Sequence, residues 1–302
     1  MKRSLIHTWL TALRLPSILL ATSSVIMGSA LAIQAHHWYA SVSFLAWITA
    51  SLLQLIANLA NDYGDFERGA NVDKRVSAVG DDGLTLAQIR NALVVLILLT
   101  SFLGLTLLRM ANLSMPSLLF FLLLGVLSII AAISYTMGSR PYAYMGLGDV
   151  AVFLFFGIVG VAGTAYLHSP VLHTTYIFPI VACGCFAVAV LNVNNIRDIW
   201  EDKQVSKNTL VVRLGRNFAI RYQWFLLLIG IGSLLFFTYL HHQSYLQWLF
   251  VVTIPLIIRN GMMTMSLPTR ELSKVLQNLV LLIFCTILLF SIGIVGAFGY
   301  TH

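Results

Sequence analysis

The sequence predicts an all-α, polytopic membrane protein with nine transmembrane helices. Apolar residues make up 59% of the 302 residues and charged residues only 10%, whereas soluble domains contain roughly 45–50% apolar and about 25% charged residues. The apolar residues gather in runs of about the length that crosses a bilayer, and none of the runs alternates like a β-barrel strand. This composition excludes an ordinary soluble enzyme, a disordered chain and a secreted disulfide scaffold.

The apolar runs follow one another along the whole chain, which we interpret as a single transmembrane domain, residues 1–302. A similar polar pattern recurs after four helices and predicts two pseudo-repeated bundles, about 16–137 and 147–262, followed by a ninth helix. The predicted helices are 16–35, 42–61, 88–108, 116–137, 147–167, 174–196, 218–240, 245–262 and 275–298.

Charged residues predict the orientation of these helices. Of the 18 lysines and arginines, Arg109 alone falls on the side opposite the N-terminus, and all 11 carboxylates fall on the N-terminal side. Cytoplasmic loops are enriched in Lys and Arg, so we expect a multi-pass protein of the cytoplasmic (inner) membrane with its N-terminus in the cytoplasm and its C-terminus outside. The net charge of +7 then reflects basic loops in contact with the lipid bilayer, and we expect no nucleic-acid partner.

The first of two acidic motifs ends the second predicted helix. Asn58, Asn61, Asp62 and Asp65 are spaced i, i+3, i+4 and i+7, which places them on one face of a helix. Polar groups that extend back into an apolar helix are costly and usually functional. This stripe is therefore a candidate site.

The second acidic motif ends the sixth predicted helix. Asn195, Asp198 and Asp202 are spaced i, i+3 and i+7, and Asn194 lies four residues before Asp198. We expect these side chains to share one helix face as well. Both motifs are predicted to open to the same compartment.

Two such motifs suit a metal–diphosphate complex. Mg²⁺ prefers oxygen ligands and bridges to phosphates, and two facing acidic clusters would repel each other without cations between them. Basic side chains can meet the remaining phosphate oxygens; the candidates are Arg140, Arg197, Lys203 and Lys207. The alternative, acids that only pair with bases in a solvated loop, is our interpretation for Glu67, Asp81, Asp82 and Glu271.

A metal–diphosphate site at the mouth of an apolar bundle predicts a lipid diphosphate as the substrate. Bound metal would make diphosphate a good leaving group, and an apolar cavity would shield the resulting allylic cation from water. The aromatic face of Tyr63 or Tyr135 could stabilise that cation. We expect the cavity to lie centrally and to open on the cytoplasmic side.

At this point the sequence resembles a known family. The motifs Asn61–Asp65 and Asp198–Asp202 look like the paired Asp-rich motifs of UbiA-type intramembrane prenyltransferases. The resemblance extends from about Leu15 to the last helix, and it is greatest to the 1,4-dihydroxy-2-naphthoate polyprenyltransferases of menaquinone biosynthesis. The blocks that carry it are Leu59–Asp65, Arg140–Asp149, Asn194–Asp198 and Lys207–Gly215.

The resemblance implies the UbiA-type nine-helix fold and a Mg²⁺-dependent reaction. A polyprenyl group would pass from polyprenyl diphosphate to 1,4-dihydroxy-2-naphthoate, which loses its carboxylate, and the product would be a demethylmenaquinone. Two Mg²⁺ ions would bridge the diphosphate. The implied metal ligands and catalytic residues are Asp62, Asp65, Asp198 and Asp202.

The remaining site residues are assigned more broadly. Tyr135 would lie near the reacting allyl end. Tyr63, Asp149 and Asn195 are candidates for contact with the acceptor. The diphosphate contacts would come from Asn58, Asn61, Arg140, Arg197, Lys203 and Lys207.

The sequence departs from the family pattern in the loop 69–83. Gly69–Asn71 stands where the family usually has Gly-x-Asp, with Asp73 two residues later, and Val76–Gly83 replaces a Gly-Pro-x-Arg element. Acceptor recognition could therefore differ, and an acceptor such as 4-hydroxybenzoate or homogentisate remains an alternative. A divalent-cation transporter is the alternative from another class, but transporters need access from both faces and the outer half carries no acid.

Overall fold

A computed structural model describes residues 5–69, 79 and 83–298 of the chain. Within these residues, nine helices are long and apolar enough to cross a membrane. Regular secondary structure in the described part is helical, apart from one isolated bridge between Val79 and Leu84. The predicted fold class is confirmed: the chain is an all-helical, multi-pass membrane protein.

The helices of the first half are α1 (Leu5–Leu13), α2 (Ile18–Gln34), α3 (Ala40–Glu67), α4 (Leu86–Met110), α5 (Met115–Ser134) and α6 (Gly148–His168). The second half contains α7 (Ile177–Arg197), α8 (Ile199–Gln204), α9 (Leu210–Leu214), α10 (Arg216–Leu240), α11 (Tyr245–Ser266) and α12 (Leu272–Phe298). The short helices α8 and α9 lie in the connection between α7 and α10. The other helices, with α1 and α2 forming one segment, account for the predicted spans, and the two pseudo-repeated bundles stay a prediction.

The start of the chain differs from the sequence-based expectation. The first predicted helix began at residue 16, whereas the structure adds α1 before it. The two helices are separated at Arg14, which has left-handed backbone angles of φ 46° and ψ 52° and is followed by a short turn, Leu15–Ser17, that contains Pro16. Pro lacks a backbone N–H and cannot continue a preceding helix, so the apolar segment divides here.

Helix α2 joins two groups of helices. On one side it contacts α3, which packs against α4 and α5; on the other it contacts α6 and α12. Helix α7 is enclosed by α6, α10 and α12 and contributes the largest share of the central core, where the ring of Phe186 fills the space beside Gly230 of α10. The acidic motifs end α3 and α7, so they belong to different groups of helices but to the same end of the bundle. We call this end the charged end.

The contact between α2 and α6 depends on glycine. A Cβ atom on Gly28 would lie 2.6 Å from both the Thr164 Cβ and the Val161 carbonyl oxygen. Small residues allow helix backbones to approach closely in lipid, where packing rather than the hydrophobic effect holds helices together. Helix α6 is also wound as a π-helix over Phe153–Gly163, a rare geometry in proteins.

We predict that Gly28→Ala lowers the free energy of unfolding by about 1–3 kcal/mol, the usual cost of overpacking a tight contact. Gly232→Ala in α10 is the matched control, because a Cβ there meets nothing within 4 Å. Ala is favoured over Gly inside a helix by roughly 0.5–1 kcal/mol, so the control should be unchanged or more stable. Thermal unfolding of the detergent-purified chain measures both, and equal stability of the two variants would contradict the tight contact.

Candidate active site

The two acidic motifs meet through a lysine. Lys207 Nζ lies 3.3 Å from Asp65 Oδ2 at the end of α3 and 3.7 Å from Asp202 Oδ1 in α8. The three side chains are nearly buried, with exposed fractions of 13%, 13% and 10%. Lys207 and Asp65 are 142 residues apart in sequence, so it is the fold that brings these side chains together.

Tyr144 is a second link between the motifs. Its hydroxyl donates a hydrogen bond to Asp65 Oδ1 at 2.8 Å. Two cations lie over its ring, with Arg68 Cζ 4.9 Å and Lys207 Nζ 5.5 Å from the ring centroid, in the range of cation–π attraction. Tyr144 belongs to the block Arg140–Asp149, but the sequence predicted no role for it.

Asp62 pairs with an arginine from the start of the chain. The Arg14 guanidinium, through Nη2, donates to Asp62 Oδ1. Asp62 is nearly buried, with 10% of its side chain exposed, whereas Arg14 remains 46% exposed. Arg14 lies outside both acidic motifs, and no local pattern in the sequence connects it to an acid in α3.

Asn58 is engaged at both ends of its amide. Its Nδ2 donates to the Leu13 carbonyl oxygen and to Ser17 Oγ, both at 2.8 Å. Its Oδ1 accepts from Gln54 Nε2 at 3.0 Å. Asn58 therefore holds the turn around Arg14 against α3. Asn61 lies on the same helix, half-buried, one turn before Asp65.

Asp198 is held by its own neighbour. The Arg197 guanidinium donates to both Asp198 carboxylate oxygens, at 2.5 and 2.6 Å, and Asn194 Nδ2 donates to Oδ2 at 3.3 Å. The helix is interrupted at Asp198, because α7 ends at Arg197 and α8 begins after Asp198; the shared face of Asn195, Asp198 and Asp202 stays a prediction. The Asp202 N–H still donates to the Asp198 carbonyl oxygen at 2.9 Å, which keeps the turn close to helical.

Burial and nearby charges shift the pKa values of the site groups that lie outside the membrane-spanning helices. Burial raises the pKa of Asp202 to about 7, although the nearby Lys207 acts to lower it. The pKa of Lys207 is raised: burial opposes its charge, but Asp65 and Asp202 outweigh that effect. Burial, followed by the charge of Asp65, raises the pKa of Tyr144. Lys207 therefore stays charged, and Asp202 becomes protonated near neutral pH.

Tyr135 lies where the two groups of helices approach each other. Its hydroxyl oxygen is 3.1 Å from the position that a Cβ on Gly148 would occupy. Its ring meets the ring of Tyr142 edge-on, with centroids 5.2 Å apart. Burial raises its pKa, followed by the nearby charges of Asp149, Asp65 and Asp202. The ring thus stands beside the acidic cluster.

A glycine in the first motif is required for close approach. A Cβ on Gly64 would lie 2.4 Å from the Thr136 carbonyl oxygen. The Thr136 hydroxyl, in turn, donates to the Ala60 carbonyl oxygen at 2.9 Å. The segment after α5, which includes Tyr135, is therefore pressed against α3.

The other predicted site residues lie apart from this cluster. Asp149 is half-buried near Tyr222, and Asn195 is buried. Tyr63 packs with the apolar cluster around Ile56, and its charged neighbours are Glu67 and Arg90. Arg140 and Lys203 are exposed, so of the predicted phosphate contacts the structure brings Lys207 to both acidic motifs and Arg197 to Asp198.

The donor set fits a hard divalent cation. Carboxylate and amide oxygens are the groups that Mg²⁺ prefers, and these acids lie at the end of an apolar bundle. Among the described residues, no three acidic, histidine or cysteine side chains are grouped closely enough to hold a metal ion. The four aspartates of the two motifs each lie beside a base instead. The loop expectations at Asn71, Asp73, Asp81 and Asp82 fall outside the described residues.

Known proteins resemble this chain in sequence and in fold. A family model described as "UbiA prenyltransferase family" matches residues 21–281. A protein of Escherichia coli (strain K12) named 1,4-dihydroxy-2-naphthoate octaprenyltransferase is 40% identical over 292 residues, 95% of each chain. The protein of the same name from Haemophilus influenzae is 34% identical, also over 95% of each chain. A solved structure of digeranylgeranylglyceryl phosphate synthase superposes with a TM-score of 0.62 over 97% of this chain and 100% of that chain, at 16% identity.

We predict that Lys207→Met destabilises the metal-free protein by about 3 kcal/mol above neutral pH, because loss of one partner leaves buried charge unpaired. The pKa of Asp202 is raised to about 7, above that of an unfolded Asp, so acidification protonates Asp202 in the folded state and removes the unpaired charge. The loss should therefore shrink at about pH 5.5.

Lys203→Met is the matched control, since Lys203 is exposed and a surface change usually alters stability by no more than about 0.5 kcal/mol. Chemical unfolding at both pH values, with chelator present, measures the two variants. A Lys207→Met loss that does not depend on pH would show that the lysine does not neutralise the two acids.

Proposed function

The chain belongs to the UbiA prenyltransferase family, and we propose that it transfers a polyprenyl group from polyprenyl diphosphate to 1,4-dihydroxy-2-naphthoate. The acceptor loses its carboxylate as carbon dioxide, and the product is the reduced, quinol form of a demethylmenaquinone. Support comes from two relatives that match over 95% of the chain and are named for this acceptor and an octaprenyl donor. The observation that carries the proposal is the meeting of two acidic motifs at one end of an apolar bundle.

We assign the metal to Mg²⁺, with Asp62, Asp65, Asp198 and Asp202 as its protein ligands. When bound, Mg²⁺ would neutralise the diphosphate and make it a better leaving group. Lys207 and Arg197 already lie beside these acids, so they are placed to donate to diphosphate oxygens. Asn61, Lys203 and Arg140 are the further candidates for phosphate contact.

The chemistry needs a dry, aromatic environment next to the diphosphate. The bond between the allylic carbon and the diphosphate oxygen breaks, a ring carbon of the acceptor attacks the prenyl group, and carbon dioxide leaves to restore the aromatic ring. Tyr135 stands beside the acidic cluster with its side chain half-buried, so its face is placed to stabilise positive charge on the prenyl group. We keep Asp149 and Asn195 as the candidates for contact with the acceptor. Tyr63 is the weaker candidate, because its side chain packs against the apolar cluster around Ile56.

The location follows from the same charges. We propose that the protein lies in the cytoplasmic (inner) membrane with the charged end toward the cytoplasm. The N-terminus would then be cytoplasmic and the C-terminus outside, as the excess of basic residues at the charged end favours. A water-soluble aromatic acid could reach the site from the cytoplasm, while the lipid donor would come from the bilayer.

We predict that purified protein with Mg²⁺ and octaprenyl diphosphate prenylates 1,4-dihydroxy-2-naphthoate and releases one carbon dioxide per product. Competing 4-hydroxybenzoate and homogentisate in the same reaction, followed by mass spectrometry of the products, tests the acceptor. Preferential prenylation of either competitor would overturn the acceptor assignment and leave the family unchanged.

The metal assignment has its own test. Asp62→Asn and Asp198→Asn should lower turnover by about 100-fold or more, since even residues that support metal ligands are worth about 10–100-fold. Glu67→Gln is the matched control, because Glu67 is an exposed acid on the same helix as Asp62 and should retain turnover. Normal turnover in a correctly folded Asp62→Asn protein would make the assignment wrong.

We predict that Tyr135→Leu slows transfer by about 30-fold with little change in donor KM, because it removes a cation–π contribution of up to about 2 kcal/mol in the transition state. Tyr135→Phe keeps the aromatic face and should stay much closer to the wild-type rate. Steady-state rates at saturating donor compare the two variants. Equal losses in both would assign the role to the hydroxyl instead of the ring.

A further inference from the structure

The turn between α1 and α2 places a basic side chain beside Asp62, a nearly buried acid of the site. We propose that Arg14 binds the diphosphate of the donor, and that Asn58 is a positioning residue that presents Arg14 rather than a phosphate ligand. The inference rests on the proposed function, and it assigns a phosphate contact to a segment outside both acidic motifs.

The backbone at Arg14 adopts a conformation that needs support. Its φ of 46° and ψ of 52° are left-handed, which costs a residue with a side chain about 1–3 kcal/mol and often marks a functional position. The turn is held on both sides: the Ser17 N–H and hydroxyl both donate to the Arg14 carbonyl oxygen, at 2.8 and 2.9 Å. Asn58 reaches the Leu13 carbonyl oxygen and Ser17 Oγ across the same turn.

Asn58 has no amide hydrogen to spare for a phosphate. A side-chain amide carries two N–H donors, and both have acceptors, one in Leu13 and one in Ser17. The carbonyl oxygen of Asn58 accepts from Gln54, and an oxygen cannot donate to an anion. A direct phosphate contact would therefore require the turn around Arg14 to come apart.

Arg14, in contrast, has N–H donors available for a second acceptor. A guanidinium carries five N–H donors, and the one acceptor that the structure describes for the Arg14 side chain is Asp62 Oδ1. Nearly half of the side chain is exposed. The guanidinium can thus contact a second anion without leaving the neighbourhood of Asp62.

The charge on Asp62 explains why Arg14 would change partners. A nearly buried carboxylate needs a positive neighbour, and Arg14 supplies it when no other cation is present. With a divalent cation on Asp62 and a diphosphate beside it, the carboxylate is neutralised and the strongest acceptors near Arg14 are phosphate oxygens, to which arginine binds in a bidentate fork.

Binding of inorganic diphosphate to the full-length, detergent-purified protein tests this, by calorimetry in the presence of Mg²⁺. Arg14→Gln should weaken diphosphate binding by about 10–100-fold, the usual effect of losing a charged hydrogen bond. Arg14→Lys should recover part of the affinity. Arg109→Ala, which removes the basic residue at the opposite end of the bundle, should bind diphosphate like the wild type.

Mg²⁺ alone separates a phosphate contact from a structural role. Arg14→Gln should bind Mg²⁺ at least as tightly as the wild type, because a competing cation has been removed from Asp62. Diphosphate affinity equal to that of the wild type in Arg14→Gln would overturn the proposal. Loss of both Mg²⁺ and diphosphate binding together with a lower unfolding temperature would also overturn it, since the role would then be structural.

The positioning role of Asn58 is tested by a double-mutant cycle. If Asn58 acts through Arg14, Asn58→Ala weakens diphosphate binding, but Asn58→Ala combined with Arg14→Gln is no weaker than Arg14→Gln alone. If the two effects multiply, Asn58 contacts phosphate itself and that part of the proposal is wrong. Prenyl transfer by the wild type is measured separately: diphosphate binding without naphthoate prenylation would overturn the proposed function and leave the Arg14 assignment standing.

Discussion

Carboxylates at the end of an apolar helix bundle need positive charge close to them, and the architecture of the charged end follows from this need. An unpaired buried charge is far more costly than a paired one, and polar groups within a membrane bundle tend to turn inward and pair. Asp62 is met by Arg14, Asp198 by Arg197, and Asp65 and Asp202 share Lys207. Two of these bases come from segments outside the acidic helices, namely the turn before α2 and the connection after α8. The pairing thus draws distant parts of the chain to one place.

Close backbone packing makes that meeting possible. Gly64 lets the segment after α5 lie against α3, and Gly148 leaves room for the Tyr135 hydroxyl. A side chain at Gly64 would push the segment after α5 away from α3, and one at Gly148 would crowd the Tyr135 hydroxyl where the two groups of helices approach each other. The glycine of the first acidic motif therefore serves helix packing, while the aspartates on either side of it face the basic residues. Packing and charge depend on each other here, because the ion pairs are short only where the helices are close.

Much of this organisation could be predicted from the sequence, and the exceptions share a cause. Hydropathy located the spans because each span is a local run, and helical spacing located the aspartates because four of the polar residues in the first motif share one face. Arg14 and Tyr144 have partners 48 and 79 residues away, so no local pattern could reveal them. No local pattern could show either that Lys207, and not Lys203, lies beside the acids. Its position depends on a left-handed turn at Ser206, with φ 58°, that brings Lys207 back toward them.

The pairing also bears on how a charged substrate could enter such a site. With four aspartates and three bases, the site is close to neutral before anything binds. A diphosphate ester, with a charge of about −3, would leave a large excess of negative charge if it entered alone, and about two Mg²⁺ ions alone would leave an excess of positive charge. Entering together, they change the net charge by only about one unit, so the low-dielectric end of the bundle favours the complex over either part. If the proposed function holds, selectivity for a metal–diphosphate complex would follow from the charge balance of the bundle, before any specific contact with the prenyl chain or the acceptor is considered.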